Sequence, residues 1–298
     1  MINSANLKKR LLFAAWAVPI GWWVINSNLS IVPRDIATVY PGHVLALTLV
    51  FLALFEYIKM LTHFYPKNAF WLSYLWLGLQ ALLYFTDHAL PGTLSIYLLL
   101  VIVAIETFFW GGKDQGKRWA RASLLFSGTV FLHIAMISLL NLYTTPFQQL
   151  FVQPHPHPML SQLGIVTVLT SIFMCDTAAY FAGNLMGKHH FSTISPNKTI
   201  EGSVAGLLAA TVITTLGWFF FRNPQYSLIL GPIMGLIIGV IAQAGDLLVS
   251  LMKRNFQVKD ASSIIPGHGG ILDRFDSVFF TAPVLFLFSW LVVRITEL

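Results

Sequence analysis

Hydrophobic residues in this chain come in long runs rather than in alternation. Runs near twenty residues recur, and the short stretches between them collect nearly all the charge. A helix rises about 1.5 Å per residue, so roughly twenty apolar residues cross the hydrocarbon layer of a bilayer. Applied along the chain, this length predicts helices at roughly 11–26, 43–61, 70–86, 94–111, 120–143, 160–183, 202–221, 228–252 and 277–295. The fold class expected is all-α, a polytopic helical membrane protein of about nine spans. The first region, 1–159, holds five spans. The second, 160–298, holds four, and with them two polar connections, 184–201 and 253–276, where a site is expected.

Composition agrees with that reading. The 298 residues are 56% hydrophobic and 10% charged, with a mean hydropathy of +0.71. Soluble domains carry about 25% charge, and no stretch here is polar enough to form one. Lys8, Lys9 and Arg10 precede the first apolar run in the manner of a signal peptide. No clear small-residue cleavage site follows, so the segment is expected to stay as the first helix. A single cysteine, Cys175, excludes an intramolecular disulfide framework and a cysteine-rich metal site.

The net charge of +6 would suit nucleic acid if it were spread over a soluble surface. Its distribution gives another reading. With nine spans, fifteen of the 18 Lys and Arg fall on one side, and only Arg34, Arg222 and Arg294 on the other. Positive loops stay inside, so the N-terminus is expected in the cytoplasm and the C-terminus outside. The basic balance is then topology, and no nucleic-acid partner is expected. The external stretch QPHPHP at 153–158 brings His155 and His157 together between prolines, but no third ligand for a metal accompanies them.

Four acidic residues fall inside predicted spans: Glu56, Glu106, Asp176 and Asp246. A charge in the bilayer core costs at least about 2.5 kcal/mol, so such groups face a cavity or a partner. With the topology above, all four lie in the cytoplasmic half of their helices. Glu56 and Glu106 sit in no distinctive motif, which leaves packing and function equally open for them. Asp176 opens DTAAYFAGNLMGK, and Asp246 stands seven residues before Lys253 on a helix running into the second polar connection.

That connection, SLMKRNFQVKDASSIIPGHGGILDRFD from Ser250 to Asp276, is the most polar long run in the chain. Lys253, Arg254, Lys259 and Arg274 supply four cations around Asp260, Asp273 and Asp276, on a backbone broken by Pro266, Gly267, Gly269 and Gly270. Such a set suits an anionic ligand carrying a metal ion, and glycine lets a ligand approach the main chain. The other connection, NLMGKHHFSTISPNKTIE, offers Lys188, Ser195, Lys198, Thr199 and Glu201. Hydroxyls and lysines suit phosphate oxygens, as do the first amides of a helix. No GxxxxGK[ST] or GxGxxG occurs, so neither a P-loop nor a dinucleotide fold is supported.

Taken together, these residues resemble the integral-membrane phosphatidate cytidylyltransferase family, the CDP-diglyceride synthetases. The family signature is met without departure by Ser250, Lys253, Arg254, Lys259, Asp260, Pro266, His268, Gly269, Gly270, Asp273, Arg274 and Asp276. Upstream the likeness continues through Asp176, Thr177, Ala179, Tyr180, Gly183, Gly187, Lys188, Ser195, Pro196, Lys198, Thr199, Glu201 and Gly202, with Ile200 where the family often has an aromatic residue. Before residue 160 it is reduced to hydropathy and Glu56.

The resemblance implies that CTP and phosphatidic acid react at the cytoplasmic face of the bilayer, giving CDP-diacylglycerol and pyrophosphate with Mg2+. It implies metal near Asp246 and Asp273, allows K+ as a second cation, and makes Asp176 a third ligand or the holder of a metal-bound water. Lys253, Lys259, Arg274 and Arg254 are expected to neutralise the triphosphate, and Lys188 and Lys198 to do the same or hold the lipid phosphate. His268 is expected to donate to a phosphate oxygen or to shape the turn, and Gly269 and Gly270 to admit close backbone approach. Ser250, Ser195, Thr199, Glu201 and Asp260 complete the expected substrate contacts. Arg254 and Asp276 are equally suited to an ion pair that fixes the loop.

A bacterial inner (plasma) membrane is the expected location, and a homodimer is compatible with the chain. Three readings compete. A CTP-dependent lipid-alcohol kinase would release CDP, not pyrophosphate. An anion transporter would place its site at the midplane with repeat symmetry, which is not seen. An inactive paralogue would keep the motif without turnover.

Overall fold

The computed structural model describes residues 19–25, 27, 39–62, 71–86, 92–110, 115–144, 146–151, 162–190, 194–265 and 269–297. Helices fill eight of the nine predicted spans: α1 (Pro41–Leu61), α2 (Trp71–Phe85), α3 (Gly92–Trp110), α4 (Gln115–Asn141), α5 (Leu163–Met186), α6 (Ile200–Phe221), α7 (Leu230–Asn255) and α8 (Leu272–Thr296). Residues 19–25 of the first predicted span are helical as well. A short 3-10 turn, Phe147–Leu150, follows α4, and the described residues contain only isolated β-bridges and no sheet. Six helices, α1, α5–α8 and the part of α4 from Trp119, are long and apolar enough to cross a membrane. The fold is that of an integral membrane protein. His155, His157 and His268 lie outside the described residues.

Several ends differ from the sequence reading by a few residues, and two of them shape the polar connection 253–276. Helix α7 continues to Asn255, taking Lys253 and Arg254 into its last turn. Helix α8 begins at Leu272, before the predicted 277, taking Asp273 into its first turn. Both shifts follow the helix macrodipole, which favours cations at the C-terminus and carboxylates at the N-terminus.

The chain divides into two compact units: 1–28, 138–252 and 275–298 in one, and 29–137 with 253–274 in the other. In the first unit, α6 is apolar all round, so hydropathy alone does not choose its buried face. Side-chain size does. Gly202, Gly206, Ala210, Thr214 and Trp218 recur every four residues and are buried. On another face Val204, Leu208, Val212 and Leu216 are at least half exposed. Small residues let helix backbones approach closely where lipid supplies no hydrophobic drive for association. A Cβ added at Gly206 would lie 2.8 Å from the Cys175 carbonyl of α5 and 3.1 Å from the Ala179 methyl. Helix α7 meets α6 in the same way, since a Cβ at Gly239 would lie 2.7 Å from the Leu207 side chain. Around these seams Cys175, Trp218, Met234, Ile238 and Leu285 form a fully buried core.

In the second unit, Val50, Ala53 and Leu54 of α1 are fully buried, as are Leu77 of α2 and Leu125 of α4. The Tyr57 hydroxyl of α1 donates to the Leu124 carbonyl of α4 at 2.6 Å.

The seam carries a direct test. Gly206→Val should wedge α5 from α6 and destabilise the protein by about 1–3 kcal/mol, the range for overpacking. Thermal unfolding in detergent measures it. Gly78→Ala, where the nearest atom to an added Cβ is 4.0 Å away, should leave the midpoint unchanged or slightly raised.

Candidate functional site

The end of α7 and the start of α8 bring Lys253 and Asp273 together. Lys253 Nζ lies 2.7 Å from Asp273 Oδ1, with only 11% and 7% of the two side chains exposed. The other oxygen, Asp273 Oδ2, accepts the Ala261 N–H at 2.8 Å and the Gly270 N–H at 2.9 Å. One carboxylate therefore joins the last turn of α7, the segment after it and the approach to α8. Gly269 sits at φ +84°, where an L side chain is strained, and a Cβ there would lie 2.9 Å from Asp273 Oδ2. The antiparallel bridge from the Ile265 N–H to the Gly269 carbonyl, 2.9 Å, closes the same segment.

Around this frame, Lys259, Asp260 and Arg274 are exposed. Arg254 is exposed too, with its guanidinium 3.5 Å from the Val258 carbonyl.

The first unit holds the other expected residues. Lys198 Nζ lies 2.7 Å from Asp246 Oδ2, with side chains 22% and 34% exposed. Ser250 Oγ, one turn further along α7, donates to Asp246 Oδ1 at a long 3.4 Å. Asp176 on α5 and Lys188 are exposed, and Ser195 is half-buried in the turn that its carbonyl makes with the Lys198 N–H, 3.0 Å. Asp276 is buried and accepts the Ser277 N–H at 2.7 Å.

Thr199 and Glu201, expected as substrate contacts, build the loop. Thr199 is the N-cap of α6, its Oγ1 accepting the Gly202 N–H at 3.1 Å. Glu201 reaches back to accept the N–H groups of Lys188 and His189 at 3.2 and 3.3 Å, and its other oxygen meets His189 Nδ1 at 2.6 Å. The Ile200 N–H to His189 carbonyl bond, 2.9 Å, completes the clip. Lys198 is thereby held just ahead of the capped end of α6.

The two undecided glutamates share one role. Both are fully buried, and each accepts N–H groups from the head of another helix. Glu106 Oε1 on α3 takes the Leu72 N–H of α2 at 3.0 Å. Glu56 on α1 takes the Ile271 N–H at 2.9 Å on Oε1 and the Leu272 N–H of α8 at 2.7 Å on Oε2. The Ser262 hydroxyl adds a third bond to Glu56 Oε1 at 2.5 Å. Helix N-termini leave unpaired donors, and these carboxylates satisfy them from a distance in sequence. Ser262 was not singled out from sequence. Its only signal is its place in the Ser-Ser pair ahead of Ile264.

For a divalent cation the two aspartates differ. Among the described residues no group of three His, Cys, Asp or Glu is arranged to hold a metal. Magnesium does not require one, since it binds through one or two carboxylates, water and substrate phosphates. Asp246 fits: it is the more exposed, and its Oδ1 carries only the long Ser250 contact. Asp273 fits through Oδ1 alone, in exchange for Lys253, because Oδ2 is filled by two backbone N–H groups.

Comparison with known proteins gives the same direction. Against a phosphatidate cytidylyltransferase of Synechocystis sp., the chain is 42% identical over 142 residues, 47% of this chain and 48% of that protein. Against those of Staphylococcus saprophyticus and Staphylococcus aureus it is 47% and 46% identical over 115 and 116 residues, 38% of this chain and 44% of each relative. The chain thus spans about half the length, or slightly less, of the curated relatives it matches. The sequence pattern of the cytidylyltransferase family extends much further, over residues 8–292. With that match covering nearly all of its length, the chain belongs to the cytidylyltransferase family.

Proposed function

We propose that this protein is a phosphatidate cytidylyltransferase of phospholipid biosynthesis. The observation that carries the reading is the pair of lysine–carboxylate contacts: Lys253 with Asp273, both of the family signature, and Lys198 of the upstream likeness with Asp246, the other expected metal position. The relatives, which are phosphatidate cytidylyltransferases, support it. The substrates are then CTP and phosphatidic acid, and the asymmetry of Lys and Arg supports a cytoplasmic face for the polar loops.

The reaction is an in-line displacement. An ionised phosphate oxygen of phosphatidate attacks the α-phosphorus of CTP. The bond from that phosphorus to the bridging oxygen of the β-phosphate breaks, and pyrophosphate leaves with the electron pair. No enzyme nucleophile is required, because the attacking oxygen already carries charge. The barrier is repulsion between anions and their positioning, which fixed cations lower.

A lysine ammonium has three donors. Lys198 and Lys253 each spend one on a carboxylate, which leaves donors for phosphate oxygens. Exposed Lys188, Lys259 and Arg274 add charge for the triphosphate and the departing pyrophosphate. Magnesium is the cofactor in this reading: Asp246, and separately Asp273 through Oδ1, would each offer it a carboxylate oxygen, with K+ as a companion cation. When bound it supplies Lewis-acid charge to phosphate oxygens.

The deciding assay uses purified protein in mixed micelles with phosphatidic acid, magnesium and CTP labelled separately at the α and γ phosphates. The α-label should enter the lipid and the γ-label leave as pyrophosphate. Transfer of γ-label to an added lipid alcohol would instead make the protein a kinase. Asp246→Asn and Asp273→Asn should each lower turnover at least about a hundredfold with normal membrane insertion, the scale for losing one electrostatic group from a transfer site. Near-normal turnover in either variant removes that residue from the mechanism.

A further inference from the structure

The mechanism above leaves two fully buried carboxylates unused, Glu56 and Glu106, and Glu56 is the one bonded to the segment that carries Asp273. Glu56 belongs to α1, about two hundred residues away in sequence from the groups it binds. Three successive N–H groups lead into α8: Gly270, Ile271 and Leu272. The first donates to Asp273 Oδ2, the second to Glu56 Oε1 and the third to Glu56 Oε2. On the opposite segment the Ala261 N–H donates to Asp273 and the Ser262 hydroxyl to Glu56. Residues 261–262 and 270–272 are therefore tied twice, by two carboxylates acting in parallel. Gly270 shows how closely Glu56 is fitted, since a Cβ there would lie 2.5 to 2.7 Å from all three carboxylate atoms.

We propose that Glu56 is a positioning residue for the reaction. Its carboxylate anchors the segment around residues 261–262 and 270–273 to α1, and so fixes where Asp273, and Lys253 paired with it, present their charge. The chemistry requires a carboxylate. Three donors converge on two oxygens, and an amide would turn an NH2 group toward one of them. Aspartate keeps both acceptors one methylene short, whereas glutamine keeps the length and volume but loses one acceptor. A residue that merely fills space would tolerate glutamine better than aspartate. An anchoring carboxylate predicts the reverse order.

The activity arm of the test rests on the cytidylyltransferase reading, and the structural arm does not. Full-length Glu56→Gln and Glu56→Asp in detergent micelles are compared with wild type by amide hydrogen exchange over 269–274 and by turnover of CTP with phosphatidic acid. Glu56→Gln should speed exchange at Ile271 and Leu272 and lower kcat, each by about tenfold or more, the scale for a buried donor left without its acceptor. Helix α6 should exchange as in wild type, and Glu56→Asp should recover part of both losses.

Glutamine equal to or better than aspartate, or native exchange with turnover within about twofold in Glu56→Gln, overturns the proposal. Gly270→Ala, which pushes a methyl against the same carboxylate, should give the same local exchange signature. Native exchange in that variant also overturns it, even if the Glu56 variants fail to fold. Wild-type protein that moves no label would sink the cytidylyltransferase reading and leave the exchange result to judge the anchor.

Discussion

A helix cannot begin without leaving N–H groups unpaired, and in an apolar setting each unpaired group costs several kcal/mol. The start of α8 depends on how that constraint is met. Its leading amides are received by Asp273, from its own first turn, and by Glu56, from α1. Because the same carboxylates also hold Ala261 and Ser262, the polar segment ahead of α8 takes its shape from the acceptors that the helix needs. Elsewhere among the described residues the same demand recurs. Glu106 receives the head of α2, and the Thr199 hydroxyl with the Glu201 carboxylate organises the entry to α6.

The two lysine–carboxylate pairs are alike in length and differ in surroundings. Lys253 and Asp273 are nearly buried, so separating them would leave a desolvated charge, and breaking such a pair costs about 3–5 kcal/mol. Their contact behaves as part of the frame. Lys198 and Asp246 are partly open to solvent, where an ion pair contributes about 0–1 kcal/mol. Either partner of the exposed pair can be given up at little cost to an incoming phosphate or cation. The geometry thus separates a pair that gives way only when a new partner replaces the lost charge from a pair that exchanges partners at little cost.

The charged residues that pair were legible in the sequence, and their wiring was not. Asp246, Lys253, Asp273 and Lys198 stood out as charges beside an apolar background, and they are the residues that pair. Their partners did not stand out, because a lysine that suits a triphosphate is chemically the same lysine that suits a carboxylate. Glu56 and Glu106 were undecided for the same reason. Nothing in the residues around Glu56 points to Ile271 and Leu272. Thr199 is the contrary case. A threonine three residues ahead of Gly202, just before an apolar run, is a cap by local rules alone.

The sequence by itself determined the helices and their approximate ends. Those follow from hydropathy summed over about twenty residues, a property of each segment in isolation. Tertiary structure decided which face of each helix is buried and which donors each buried carboxylate receives. Helix α6 is apolar on every side, so transfer energy is nearly indifferent to its rotation. Close contact at Gly202, Gly206 and Ala210 selects the face. Hydrogen bonds are settled by proximity in space, and the oxygens of Glu56 meet their donors only once the chain has folded.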